Sequence, residues 1–300
     1  MNILVTGASG LVGRALIPVL TAGGHSVVRL VRFKPARGEA GVYWNPAGGE
    51  IDSSGLVGLD AVVHLAGEPI TGRWSEAKKR AIRESRAKST RLLCETLARL
   101  TGRPRVLVAA SASGYYGDRG DEVLREESRA GSSFLSQVCR EWEEATQPAA
   151  ESGIRVVNLR IGFVLSAAGG GLARMLPAFK VGGGGRLGTG KQYLSWIAMD
   201  DLAQIILFAL TTTQLDGPAN AAAPNPVTNH EFTQTLGHLL GRPTIFRVPA
   251  FGIRLAFGEM GKEVLLASTR MEPARLLKAG YRFRFPEIEG ALRQVLTKHP

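Results

Sequence analysis

The 300-residue chain is short of cysteine, long apolar runs and clustered histidine, and each shortage removes a class of function. Two cysteines, Cys94 and Cys139, cannot build a disulfide framework, so a reducing compartment fits. The longest apolar runs, such as Ile205–Leu210, fall far below the about 20 residues that span a bilayer, and no membrane partner is expected. Met1-Asn2 runs straight into Ile3-Leu4-Val5, too short a run for a secretory leader, so a cytoplasmic location is expected. His25, His64, His230, His238 and His299 are scattered without a cysteine at ligand spacing, which argues against a metal site. There is no G-x-S-x-G nucleophile elbow. Acids are also short: 37 Lys and Arg face 26 Asp and Glu, a formal charge of +11. The arginines run along the whole chain without a basic tail or a basic block interleaved with aromatics. The excess therefore reads as solvated surface rather than a nucleic-acid site, although a phosphorylated ligand would feel the same field.

The first 165 residues alternate two kinds of segment. Ile3–Thr6, Ser26–Val31, Ala61–Ala66, Val106–Ser111 and Ile154–Ile161 are short apolar runs, the mark of parallel strands buried on both faces. Between them, Leu11–Ala22, Ser75–Leu100 and roughly Ser132–Ser152 carry helical periodicity, and Gly23-Gly24 stops the first. This alternation predicts an α/β fold, a doubly wound parallel sheet of six or more strands. Further on come a glycine-rich stretch (169–171 and 182–190), helices near 228–240, 271–278 and 288–296, and a strand candidate at Thr244–Val248. The expected division is residues 1–240 for the sheet domain and 241–300 for a smaller C-terminal α/β lobe.

TGASGLVG places Gly7, Gly10 and Gly13 between the first strand and the first helix. Glycine there permits a tight turn and close approach of a pyrophosphate to the backbone, and the helix start offers free N–H groups. The fold is thus Rossmann-type, with Ser9, Leu11 and Val12 inside the cradle. An NAD site has an acid at the end of the second strand. This chain has Arg29-Leu-Val31-Arg32 instead, with no acid before Glu39, so Arg32 suits a 2′-phosphate and NADP(H) is the expected cofactor. Leu65, Ala66 and Gly67, at the end of the Asp60–Gly67 strand, border the same cofactor, and His64 reads as a packed strand residue. Gly185–Gln192 nearly repeats a phosphate-binding loop, but Gln192 cannot supply the metal-holding hydroxyl, and a lid over the substrate cleft is the better reading.

TGASGLVG, the Asp60–Gly67 strand and SASGYYG (111–117) together resemble extended short-chain dehydrogenases/reductases, the group holding sugar-nucleotide epimerases. AGEPITGRW (66–74), SRAKST (85–90), FLSQVCREWE (134–143), RIGFVLS (160–166) and GTGKQYLSWI (188–197) are similar to an atypical branch. That branch is the epimerase-family proteins once labelled cell-division-inhibitor-like, which end in a small domain of unknown function. The resemblance covers nearly the whole chain. It implies a sugar-nucleotide substrate, a homodimer through the 75–100 helix, and Arg86 and Leu165 as additions to the cofactor set.

The wider group uses a Tyr-x-x-x-Lys pair, in which the phenol exchanges a proton and the ammonium lowers its pKa. None of the five tyrosines here has Lys four places later. By register with the family helix, Leu135 stands at the Tyr position, Cys139 at the Lys position and Arg86 at an upstream Asn. Arg86 cannot be a base and suits a phosphate or carboxylate of cofactor or substrate. The candidates left for catalysis are Ser111, Ser113, Tyr116 and Cys139, with Tyr115, Asp118 and Glu68 nearby. Two functions remain: an NADP(H)-dependent oxidoreductase or epimerase with substitute acid–base groups, or a protein that binds NADP(H) without turnover.

Overall fold

The computed structural model describes residues 1–33 and 41–298. Parallel strands buried on both faces form the centre, as the apolar runs require. The N-terminal half contributes β1 (Asn2–Thr6), α1 (Leu11–Ala22), β2 (Ser26–Val31), β3 (Val42–Asn45), β4 (Glu50–Ile51), β5 (Ala61–His64), α2 (Glu76–Arg99), β6 (Val106–Ala112), β7 (Val123–Leu124), α3 (Phe134–Glu144), α4 (Gln147–Glu151) and β8 (Arg155–Ile161). The remainder supplies β9 (Phe163–Leu165), α5 (Gly170–Lys180), β10 (Gly185–Leu187), β11 (Tyr193–Leu194), β12 (Trp196–Ala198), α6 (Met199–Thr211), β13 (Gly217–Ala221), β14 (Val227–Thr228), α7 (Asn229–Leu239), β15 (Phe246–Val248), α8 (Ala250–Phe257), β16 (Arg270–Met271), α9 (Ala274–Lys278) and α10 (Ile288–Lys298).

Eight strands form one sheet in the order β13-β8-β6-β5-β1-β2-β3-β4, parallel throughout except for the β3–β4 hairpin. Pro218 sits in β13, an edge strand, where a missing N–H costs no ladder bond. The order reverses between β1 and β5, and ligands of open α/β sheets bind outside the carboxyl ends at such a point. The register puts Thr6 beside His64 and His64 beside Ala109, so Gly7, Leu65 and the residues after β6 emerge along one rim.

Local chemistry sets the helix ends. α1 closes on Gly23, Gly24 takes φ +74°, and the His25 N–H reaches Leu20 O at 3.1 Å, as a left-handed terminator should. The helix expected over 132–152 divides into α3 and α4, because Pro148 lacks the N–H an uninterrupted helix would use and serves instead in the first turn of α4.

The C-terminal residues interleave with the main sheet's loops. β15 pairs with β10, and β16 with β7. The buried Asp201 carboxylate on α6 accepts the N–H groups of Arg284 (2.8 Å) and Phe285 (2.9 Å). This arrangement corrects the lid expected at 185–192. Gly185–Leu187 is a paired strand, Gly188 N donates to Val248 O at 2.8 Å and Leu187 N to Asn229 Oδ1 at 2.8 Å, so the segment is pinned at several points. Trp196 is a fully buried core residue whose indole N–H donates to Asn225 O.

Candidate functional site

The cradle begins at Gly7, whose φ of +65° is a conformation that side chains rarely adopt. A Cβ there would lie 2.8 Å from the backbone of Leu65 and 2.9 Å from Ala66 N, and one on Gly13 would overlap the Gly7 carbonyl oxygen. Gly10 N donates to Gly7 O at 2.9 Å, closing the turn. No side chain caps the start of α1, so its first N–H groups and the positive end of its dipole are free for an anion. Ser9 and Gly10 are exposed at the mouth, with Leu11 and Val12 half-buried and Gly13 buried behind them. A cleft of about 500 Å³ runs alongside, lined by Ser9, Leu11, Arg14, Leu165, Gly169 and Gln294 among others. This donor set and the space kept open by glycine fit a pyrophosphate.

The cradle is braced from below. Thr6 Oγ1 accepts the N–H groups of Leu65 (3.0 Å) and Ala66 (3.1 Å), so its own proton goes to His64 Nδ1 at 2.7 Å. That leaves His64 Nε2 protonated and donating to Thr90 Oγ1 at 2.8 Å. Burial lowers the His64 pKa to about 4, which keeps the ring neutral and structural. Leu65 and Ala66 are thereby fixed over Gly7, and sequence reasoning missed Thr6 as the organiser.

Arg32 follows Val31, the half-buried last residue of β2, on the same rim; its side chain is exposed and has no partner among the described residues. Arg86 lies at the other end. Its Nη1 donates to Glu68 O (3.0 Å) and Ile82 O (3.1 Å), its guanidinium lies 4.9 Å over the Trp142 ring, and Gly67 packs against it. Burial lowers its pKa, partly offset by Cys139 and Glu68.

The catalytic candidates separate by environment. Ser111 is buried and donates to Glu143 Oε1 at 2.6 Å. Glu143 is gripped by Arg160, Nε to Oε1 and Nη2 to Oε2, both 2.8 Å. Arg160 Nη1 donates to Tyr116 Oη at 3.0 Å and to Glu126 O at 2.9 Å. Tyr116 is fully buried, 2.7 Å from Asn220 Oδ1, and burial pushes its phenol up to about 12. Cys139 is buried against Gly114, and burial pushes its thiol up to about 12 as well. Ser111, Tyr116 and Cys139 thus belong to a buried network and packing layer, which speaks against their expected roles in proton transfer. Ser113 differs: it sits at the carboxyl end of β6, half-buried, with a hydroxyl free of partners among the described residues. Asp118 accepts Ser268 N and Glu68 pairs with Lys78 at 2.7 Å, so neither is a free acid. Arg160 and Glu143 were missed, though an arginine inside an apolar strand was a visible signal. Leu165 is a buried β9 residue that nonetheless borders the cleft.

Among the described residues there is no cluster of His, Cys, Asp or Glu able to hold a metal, and no helix is long and apolar enough to cross a membrane.

Comparison with known proteins adds to the geometry. Residues 3–221 match the model of the NAD-dependent epimerase/dehydratase family, and residues 248–295 match a domain of unknown function, DUF1731. An epimerase family protein of Mycobacterium bovis is 45% identical over 297 residues, 99% of this chain and 98% of that protein. The crystal structure of human epimerase family protein SDR39U1 (isoform 2) with NADPH has a TM-score of 0.88 at 32% identity, covering 99% of each chain. A nucleoside-diphosphate sugar epimerase structure from Corynebacterium glutamicum has a TM-score of 0.80 at 41% identity, covering 99% of this chain and 58% of that one.

Proposed function

Because the chain belongs to the NAD-dependent epimerase/dehydratase family, as an atypical short-chain dehydrogenase/reductase with a DUF1731 C-terminal domain, we propose that it is an NADP(H)-dependent oxidoreductase or epimerase-like enzyme that works without Tyr-x-x-x-Lys. The observation that carries this reading is the cradle, where a Cβ on Gly7 would meet the Leu65–Ala66 backbone and one on Gly13 the Gly7 carbonyl, so that only glycine closes the turn that aims the uncapped start of α1 at a pyrophosphate. Gly7, Ser9, Gly10, Leu11, Val12 and Gly13 hold the diphosphate, Val31 and Arg32 receive the 2′-phosphate end, and Leu65, Ala66 and Gly67 wall the opposite side. The bound nicotinamide supplies the hydride donor or acceptor. Ser113 holds or passes a proton at its Oγ, being the candidate hydroxyl that the sealed network leaves free. Leu135 and the buried Cys139 supply no proton.

The burial of Tyr116 and Cys139 favours a second reading, a sensor that binds NADP(H) without turnover. The two separate in one assay: NADPH absorbance is followed against sugar nucleotides and small oxo compounds, with wild type beside Ser113→Ala. Turnover reduced at least tenfold in the variant supports the enzyme; NADPH binding with no turnover on any compound supports the sensor.

A further inference from the structure

Arg160 and Arg86 present their guanidinium groups in parallel ways, with one difference. In each, Nη1 donates to main-chain carbonyls, Glu126 O for Arg160 and Glu68 O and Ile82 O for Arg86. In Arg160 the opposite edge, Nε and Nη2, grips both oxygens of Glu143. In Arg86 that same edge has no partner among the described residues. The nearest acid, Glu68, gives its carboxylate to Lys78. The two open donors are not sealed in the core either, since neither is among the closed-off polar atoms. A guanidinium desolvated this far, stacked on Trp142 and lacking an anion, is half of a forked pair.

Its place along the rim of the sheet says whose anion completes it. Along the rim the strands run β2, β1, β5, β6, about 14 Å at the usual strand spacing. Arg32 stands at β2 and the diphosphate cradle at β1. Arg86 touches Gly67 just beyond β5, and its ring partner Trp142 lies one turn along α3 from Cys139, which packs on Gly114 just beyond β6. A dinucleotide whose phosphates occupy β2 and β1 has none left for the β5–β6 end, where Ser113 also opens.

We propose that the Nε–Nη2 edge of Arg86 receives a carboxylate of the substrate, so that the site takes a carboxylate-bearing small molecule beside the cofactor. This rests on the reading of the cleft as an NADP(H) site. Trp142, under the guanidinium, is a built-in reporter. Full-length protein, with and without saturating NADP⁺, is titrated with acetate, succinate and inorganic phosphate at constant ionic strength, following tryptophan emission in wild type, Trp142→Phe, Arg86→Lys and Arg86→Gln. The expected result is a saturable change that Trp142→Phe removes and NADP⁺ leaves in place. Arg86→Gln weakens it at least tenfold, with Arg86→Lys intermediate, while both variants keep the wild-type near-ultraviolet dichroism. An unsaturable response, equal affinity in Arg86→Gln, or tighter binding of inorganic phosphate than of carboxylate would overturn the proposal. Abolition of the response by NADP⁺ would overturn it too, by giving Arg86 to the cofactor. Failure of NADP⁺ itself to bind would instead refute the cofactor reading, and the titration without it still tests Arg86.

Discussion

Lowering the pH should destabilise this fold through one residue, His64. The ring is fully buried between Thr6 and Thr90, and burial brings its pKa to about 4, against about 6.5 unfolded. A depressed histidine contributes stability that is fully present above the unfolded value and is lost as pH falls toward the folded one, because only the unfolded chain takes up the proton in that window. Linkage at 1.36 kcal/mol per pKa unit gives a loss of about 2 kcal/mol between about pH 7 and about pH 5, rising to about 3 kcal/mol near pH 4. The assay is urea unfolding followed by far-ultraviolet dichroism at about pH 7 and about pH 5, on wild type and His64→Gln. The carboxylates titrate in both proteins, so the difference between the two pH dependences isolates the histidine. The variant should be less stable at neutral pH yet lose about 2 kcal/mol less on acidification. Equal pH dependence in the two proteins would refute the neutral, structural histidine.

Three further outcomes follow from the packing. A thiol reagent at mildly alkaline pH should leave Cys139 and Cys94 unmodified in the folded protein and label both in denaturant, since burial pushes each thiol up to about 12; fast native labelling of Cys139 would reopen its catalytic role. Glu143→Gln should cost about 3 kcal/mol in urea unfolding, because it leaves the Arg160 charge buried without its carboxylate, and a loss below about 0.5 kcal/mol would contradict the fork. Glu263→Gln should cost about 1 kcal/mol, since both carboxylate oxygens accept N–H groups at the start of α3, Phe134 at 3.0 Å and Leu135 at 2.9 Å; an unchanged midpoint would count against that cap.

What could be read from the sequence was what local backbone chemistry forces. Gly7 and Gly13 announce themselves because no other residue fits beside the Leu65–Ala66 backbone and the Gly7 carbonyl, and strand–helix alternation then fixes a doubly wound sheet. His64 was legible for a similar reason, as a polar residue inside an apolar strand. The catalytic end was not legible. Glu143, Arg160 and Asn220 lie far along the chain from Ser111 and Tyr116 and are joined to them only by tertiary packing, so nothing local distinguished the sealed Ser111 from the open Ser113. The glycines of 185–192 suggested a free lid because the strand candidate at 244–248, though visible in the sequence, does not reveal its pairing partner, and β15 pins them from 59 or more residues away. Arg86 was recognised as an anion-binding side chain, but only its geometry beside Arg160 shows which edge is open.

The central claim is that the cleft selects a 2′-phosphorylated dinucleotide through Arg32. Titration of the purified protein with NADPH and NADH, by nicotinamide fluorescence, on wild type and Arg32→Ala tests it most directly. The account predicts tight NADPH binding, much weaker NADH binding, and a loss of about 10- to 100-fold for NADPH alone in the variant, the worth of a charge-assisted fork. Equal affinity for the two nucleotides, or an Arg32→Ala protein that binds NADPH as wild type does, would contradict it.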